Sequence, residues 1–239
     1  MYKRVLLKLS GEALKDESAM QILNVNCVNE MAQMMKHLHE HGIQIGVVIG
    51  AGNIWRGKLA NDIGIDRAAA DYMGMLGTVI NAVCMASALD KLGIPSVVFS
   101  ALPEISTITT TYSPDLAIKA MEEGKVVFFS GGTGKPFFTT DTAATLRALE
   151  TKCDAVLMGK NGVEGVFDKD PDYHKDAKFI KNITFQEILD KKLQIMDLSA
   201  VELIKDTDIQ IRVFSMADSQ NFVKVAMGED LGTTCKRGE

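Results

Sequence analysis

Four short stretches of the chain combine glycines, hydroxyls and cations in the way that anion-handling chemistry requires. Gly131-Gly132-Thr133-Gly134-Lys135-Pro136-Phe137-Phe138-Thr139-Thr140-Asp141 follows an apolar run and leads into a helical pattern at 142–150. A strand that passes through a glycine turn into a hydroxyl-rich helix start points free backbone N–H groups, and the positive end of the helix dipole, at one spot. Lys8-Leu9-Ser10-Gly11 places an ammonium at the end of another apolar run, and Gly50-Ala51-Gly52-Asn53-Ile54-Trp55-Arg56-Gly57 places a guanidinium in a second glycine loop. Gly159-Lys160-Asn161-Gly162 closes a further run. Phosphoryl transfer is mostly positioning and charge neutralisation, so cations, backbone N–H groups and Mg²⁺ suffice for it.

Two common phosphate sites do not fit. A P-loop needs a hydroxyl residue after Gly-Lys, but Gly134-Lys135 is followed by Pro136, which lacks both the hydroxyl and the N–H. A dinucleotide fingerprint needs GxGxxG, and after Gly50 and Gly52 the next glycine is Gly57. Hydride transfer on a nicotinamide is thereby disfavoured.

The elements that must carry these loops alternate regularly. Apolar runs at 5–9, 43–49, 96–99, 126–129, 155–158 and 209–214 read as strands, and their near-continuous Val, Ile and Leu content suits a sheet covered on both faces. Amphipathic stretches at 27–41, 68–92, 115–123, 142–150, 184–191, 200–206 and 221–227 read as helices. This order predicts an α/β fold, a three-layer α-β-α sandwich around a doubly wound, mainly parallel sheet in one domain. The Thr-rich segment 105–112 reads as an edge hairpin outside that sheet. In such sheets ligands gather at the carboxyl ends of strands, where all four loops fall.

At 239 residues the chain can fill a sizeable core, and a net charge of −5 argues against a nucleic-acid coat, which needs a basic face. Cys27, Cys84, Cys153 and Cys235 lie far apart without metal-ligand spacing, which predicts reduced thiols and a cytoplasmic protein. The start, Met1-Tyr2-Lys3-Arg4-Val5, enters a strand directly, so no signal peptide is expected, and no apolar run nears the ~18 residues of a membrane span. His37, His39 and His41 resemble a metal tract, but only His37 and His41 share a helix face, so a solvated face is expected.

Six ordered motifs carry a resemblance. They are Lys8-Leu9-Ser10-Gly11-Glu12-Ala13-Leu14, Gly50-x-Gly52-Asn53-x-Trp55-Arg56-Gly57, and Asp71-Tyr72-Met73-Gly74-Met75-Leu76-Gly77-Thr78-Val79-Ile80-Asn81. Then come Thr133-Gly134-x-Pro136-Phe137-Phe138-Thr139-Thr140-Asp141, Gly165-Val166-Phe167-x-x-Asp170-Pro171 and Met196-Asp197-Leu198-Ser199-Ala200. Together they resemble the bacterial UMP kinases of the amino acid kinase fold family, over nearly the whole chain. The resemblance implies transfer of the γ-phosphoryl group of ATP–Mg²⁺ to UMP in pyrimidine nucleotide biosynthesis. The UMP side would lie mainly in the N-terminal half and the ATP side mainly in the C-terminal half.

By the same resemblance, Lys8, Arg56, Asp141 and Asp197 are catalytic, with the aspartates orienting Lys8 and organising Mg²⁺ carried by ATP. ATP would meet Lys8, Leu9, Ser10, Gly11, Gly52, Arg56, Asn161, Phe167 and Asp170. UMP would meet Ala51, Asp71, Thr133, Gly134, Lys135, Pro136, Phe137, Phe138, Thr139 and Thr140. It further implies a cytoplasmic homohexamer under allosteric control, with the long helix at 68–92 offering a subunit contact. Taken singly, several of these residues have plain structural readings. Lys8 reads as a snorkelling strand-end lysine, Asp141 and Asp197 as helix caps, and Asp170-Pro171 as a turn. Asp71, in an otherwise apolar helical stretch, needs a partner unless it faces solvent.

The chain departs from the family pattern at 15–24, where a glycine-containing loop linked to GTP activation is replaced by Lys15-Asp16-Glu17-Ser18-Ala19-Met20-Gln21-Ile22-Leu23-Asn24. Ala51, Lys135 and Glu164 replace a usual glycine, a usual Asn or Ser, and a usual Asp; Lys135 is expected to face solvent. Two competing functions are a kinase acting on a carboxylate or carbamate, and a silent sensor of pyrimidine nucleotides. The Asp71 segment and the 133–140 loop speak against the first. Intact Lys8, Arg56, Asp141 and Asp197 speak against the second.

Overall fold

The computed structural model describes residues 1–16, 21–169, 171, 173–193 and 195–238. In β1 (Arg4–Leu9) every residue but Lys8 is buried, as a central strand covered on both faces demands. After it come a 3₁₀ turn (Gly11–Leu14), α1 (Val25–Glu40), β2 (Gln44–Ile49), α2 (Gly57–Ile63), α3 (Arg67–Lys91), β3 (Ser96–Ser100), β4 (Thr110–Thr111), α4 (Pro114–Glu122) and β5 (Val126–Ser130). The remainder contains α5 (Thr140–Glu150), β6 (Ala155–Lys160), β7 (Val166–Phe167), β8 (Phe179–Ile180), β9 (Asn182–Thr184), α6 (Phe185–Lys191), α7 (Leu198–Ile204), β10 (Gln210–Ser215), α8 (Asn221–Ala226) and β11 (Thr233–Lys236).

Nine strands form one sheet in the order β4-β3-β5-β2-β1-β6-β10-β11-β9, and β7 and β8 form a separate antiparallel ribbon. All pairs in the large sheet are parallel except β10 with β11. Lys8 lies opposite Val48 of β2 and Met158 of β6. From β1 the chain adds β2 on one side and later β6 on the other, so the carboxyl end of β1 is a switch point where crevices open.

The period-two alternation of β1 divides the core. Val5, Leu7 and Leu9 join a cluster with Met31, Met34, Met35 and Leu38 of α1, Met85 and Leu89 of α3, and Phe222 of α8. Leu6 faces the opposite cluster, with Ala144 and Ala148 of α5 and Val201 and Ile204 of α7. Full burial of one such leucine contributes about 2 kcal/mol. In α1 the buried residues recur at helical spacing, and Asn24 starts the helix by accepting from the N–H groups of Asn26 and Cys27.

The three-layer α/β prediction holds, with several corrections. Segment 105–112 makes no hairpin: Thr110 and Thr111 pair in parallel with Phe99 and Ser100, at the edge of the main sheet. Helix α2 lies in what reads as a loop after Gly57, and β7, β8, β9 and β11 are too short to leave an apolar run. Helix α3 corrects the membrane expectation: it is long and apolar enough to cross a bilayer by length and composition, with mean hydropathy 1.5. Its Val79, Ala82, Met85 and Leu89 nevertheless sit in the core, as in the core helix of a globular domain. His37, His39 and His41 are not simply solvated, for each pairs with its own partner: Gln220 Oε1 at 2.9 Å, the Gly124 carbonyl at 2.8 Å and the His37 carbonyl at 2.7 Å.

Candidate active site

Lys8 projects from the end of β1 towards the N-terminus of α5. Thr139 caps that helix by accepting from the Thr142 N–H, which leaves Asp141 in the first turn with its carboxylate free of capping duty. Asp141 Oδ1 meets Lys8 Nζ at 2.7 Å, each side chain 18% exposed. The approach is an ion pair without hydrogen-bond alignment, so this buried oxygen has no hydrogen-bond donor. Asp197 occupies the N-cap position of α7 but caps nothing. Its Oδ2 instead accepts from Thr139 Oγ1, and Thr142 Oγ1 and Ser199 Oγ lie 3.2 Å apart alongside. Both aspartates therefore serve the junction of β1, α5 and α7 and not their own helix ends.

The loop after β2 is clamped from α3. Asn81, fully buried, donates to the Gly50 carbonyl at 2.8 Å and exchanges hydrogen bonds with Asn53. Gly11 packs so closely on this loop that a Cβ there would lie 2.4 Å from the Gly50 carbonyl oxygen. Backbone of the first and second loops is thus in contact, with Ser10 accepting from the Glu12 N–H at 3.3 Å. Leu9 places its side chain in the core, and its carbonyl accepts from Gly50 N–H. Arg56, 61% exposed, pairs with Glu12 across the mouth of the loop.

A cavity of about 180 Å³ opens between this loop, α3 and the 131–140 segment. Ala51, Gly52, Asp71, Thr133, Phe138, Thr139 and Thr140 line it, together with Trp55, Met75 and Thr78. Gly134, Lys135, Pro136 and Phe137 do not, and Lys135 is exposed. Asp71 finds the partners its place in an apolar helix requires: Arg67 Nε at 2.9 Å and the Phe137 N–H at 2.7 Å. Phe137 holds φ of 72° and is 65% exposed, with the Arg67 guanidinium 5.9 Å from its ring centre. The Gly131 N–H donates to Thr78 Oγ1, and Arg147 reaches back from α5 to the Gly132 carbonyl, so both sides of the turn are tied down.

Two further clefts open across the carboxyl edge. One, of about 500 Å³, is lined by Asp141, Lys160, Lys192, Ile195, Met196 and Asp197 among others. The other, of about 620 Å³, is lined by Lys160, Val163, Gly165, Phe167, Asp168 and Ile195 among others. Asn161 is exposed and lines neither, and Asp170 lies outside the described residues. Burial, with the Lys8 charge adding to it and Asp141 opposing it, lowers the Lys160 ammonium below the ordinary lysine range. No group of three or more His, Cys, Asp or Glu able to hold a metal occurs among the described residues. Two carboxylates, one with a buried oxygen whose partner is the Lys8 ammonium alone, suit a hard cation that takes its other ligands from phosphates and water, as Mg²⁺ does.

Sequence reasoning misses Glu12, Thr78, Arg147 and Lys160 as parts of this region. Lys160 gave the same signal as Lys8, a lysine at the ligand end of an apolar strand. The others touch the site only through partners distant in sequence.

Fold and site together define an α/β protein with paired clefts along the carboxyl edge of a parallel sheet. The chain belongs to the amino acid kinase family, whose model it matches over residues 3–215. It is 52% identical to a uridylate kinase of Mycoplasma capricolum over 225 residues, 94% of each chain. It is similar in structure to a UMP kinase of Bacillus anthracis, with TM-score 0.95 and 35% identity over 100% of this chain and 97% of the other. A UMP kinase of Ureaplasma parvum matches with TM-score 0.92 and 34% identity, over 99% of this chain and 100% of that one.

Proposed function

We propose that this chain is a UMP kinase, a nucleoside monophosphate kinase that transfers the γ-phosphoryl group of ATP to UMP and releases UDP and ADP. The observation that carries this reading is the continuity of the α5 start. Thr139 and Thr140 line the smaller cavity and the next residue, Asp141, lines the larger cleft, so two ligands would meet end to end beside Lys8. Uridylate kinases to which this chain is similar give the acceptor its name.

UMP would occupy the smaller cavity, with Asp71 accepting from the ribose hydroxyls once Phe137 N–H releases it, and Thr133 through Thr140 around the base and ribose. Arg56, freed from Glu12, would clamp the UMP phosphate with its planar fork. ATP would lie in the larger clefts, with Phe167 and Asp170 towards the adenine nucleoside and the backbone of Ser10, Gly11 and Gly52 towards the phosphates. Asn161 belongs to the same loop. An ionised UMP phosphate oxygen attacks the γ-phosphorus and the bond to the β,γ-bridging oxygen breaks. No general base is needed, and Lys8 offsets the charge that develops between donor and acceptor. Bound Mg²⁺, held by Asp141 and Asp197, would neutralise charge on the donor phosphates. Asp141 also keeps Lys8 aimed along the transfer path.

The acceptor side thus falls mainly in the N-terminal half and the donor side mainly in the C-terminal half of one domain. A cytoplasmic homohexamer in pyrimidine biosynthesis goes with this reading, and exposed Leu76 and Ile80 on α3 support a subunit contact. The altered segment that the family links to GTP includes residues 17–20, outside the described residues. The test is a coupled ADP-release assay with ATP–Mg²⁺ and UMP, CMP, dUMP or aspartate as acceptor. Turnover with UMP alone is the expected result. Absence of turnover alongside UMP or UTP binding would make the protein a nucleotide sensor.

A further inference from the structure

Lys160 is the last residue of β6, paired with Ser215 of β10, on the strand next to the one that carries Lys8. Its Nζ donates to the Ile195 carbonyl at 2.5 Å, a neutral acceptor that satisfies one of its three N–H groups. Among the described residues it forms no ion pair, unlike Lys8, whose charge Asp141 matches. A half-buried ammonium with no carboxylate in direct contact, and only the shared charge of Asp141 nearby, is costly to keep in place unless a ligand supplies more. Lys160 lines both large clefts, standing where the one beside Asp141 and Asp197 meets the one beside Phe167. A ligand that fills both must pass this ammonium. Its anionic part would lie towards the aspartates and Lys8, and its flat apolar part towards Phe167.

We propose that Lys160 is a second phosphate-binding catalytic residue, which grips the polyphosphate of the donor nucleotide alongside Lys8, from the neighbouring strand. The proposal rests on the kinase reading above for the identity of the donor as ATP, whereas the clefts themselves call for a ligand with a polyphosphate chain at one end and a flat ring at the other. Transfer leaves that polyphosphate one unit shorter on the donor side, and Lys160 remains bound to the departing diphosphate. Holding the leaving group in place favours cleavage of the bridging bond over loss of the intact donor.

The simpler role is a strut: Lys160 holding the Ile195 carbonyl and so the approach to Asp197. Ile195 lines both clefts, so loss of a strut would disturb nucleoside and polyphosphate binding alike. The test compares Lys160→Met with Lys160→Gln, whose amide can still donate to that carbonyl but carries no charge. Binding of ATP, ADP and AMP is measured by calorimetry with Mg²⁺ present, beside the melting temperature and the kcat and KM values. Both variants are expected to bind ATP and ADP ~10–100-fold more weakly, as for loss of one hydrogen bond to a charged group. AMP affinity is expected to stay within about twofold, because its single phosphate stops short of the grip. Wild-type affinity for ATP in Lys160→Gln, or an equal loss of AMP and ATP binding in both variants, would overturn the proposal. The wild-type ratio of ATP to AMP affinity does not depend on the acceptor. A protein that fails to phosphorylate UMP would therefore defeat the kinase reading while still testing Lys160.

Discussion

The two halves of the proposed catalytic edge, its donor side and its acceptor side, are built in opposite ways. On the donor side, Lys8 and Lys160 sit at the ends of adjacent central strands, and Asp141 and Asp197 at the starts of helices packed beneath. Each is partly buried or fixed by a partner from another element. On the acceptor side, Asp71, Arg67 and Phe137 form a contact at the surface that depends on one exposed loop residue with positive φ. Groups that must stabilise a transition state gain from rigidity, since they cost no reorganisation at the moment of reaction. Groups that must admit and release a substrate gain from a contact that a ligand can displace. A carboxylate already bound to Arg67 and a backbone N–H has to exchange partners before it can hold a ribose.

That contrast is breakable. The largest effect is expected on the donor side, where Lys8→Ala should lower kcat by ~10²–10³, about 3–4 kcal/mol of transition-state stabilisation, with the melting temperature nearly unchanged. Unchanged turnover would remove Lys8 from the chemistry. Asp71→Ala should act differently, raising the KM for UMP on the order of tenfold and leaving the KM for ATP alone. A change confined to ATP would move Asp71 to the other side and erase the distinction. Gly134→Ala probes the loop itself. Its φ of 78° and a Cβ that would lie 2.7 Å from the Ala101 carbonyl oxygen should cost about 1–3 kcal/mol in urea unfolding, again with the ATP KM preserved. An ATP effect as large as the UMP effect would mean that the two sides are mechanically one.

The smallest effect concerns the strands and helices that carry the edge. Burial pushes the thiols of Cys153 and Cys235 up to about 12, from an ordinary value of 9.0. Between those values the folded protein holds more protons than the unfolded chain, so stability is fully present below about pH 9 and falls as pH rises towards 12. At pH 8 a thiol reagent should leave both unmodified in the native protein and reach all four cysteines in denaturant. Rapid native labelling of Cys153 would show that the layer beneath the donor side opens.

Much of this was legible before any coordinates. The central strands are apolar on both faces, and that alone implies helices above and below. The four glycine-rich loops fall at strand ends because ligand-facing backbone has to turn sharply there. Other features depend on contacts that no local pattern encodes. Asp141 and Asp197 each look like a cap, and only the packing of α5 against α7 shows that Thr139 takes the capping work from one and donates its hydroxyl to the other. Lys160 ends an apolar strand as Lys8 nearly does, but the carbonyl that accepts from its ammonium lies 35 residues further on, where no local pattern points. Segment 105–112 alternates like a hairpin, but the partner of Thr110 and Thr111 is the preceding strand. Helix α2 escapes because a glycine loop runs straight into it and too few residues remain to show a period.

The position of β1 has a consequence for how the protein comes into being. Lys8 lies far upstream of its counterion Asp141, and of the Asp197 that holds the Thr139 beside it. A chain growing from its N-terminus can pair β1 with β2 early, but it carries an unmatched ammonium in an apolar strand until most of its length has been synthesised. Activity should therefore be the last property to emerge during synthesis or refolding, later than the secondary structure and later than closure of the first core cluster. A product cut short before Asp197 would lack part of this edge, and β1 stays dependent on Asp141 and β6 far downstream.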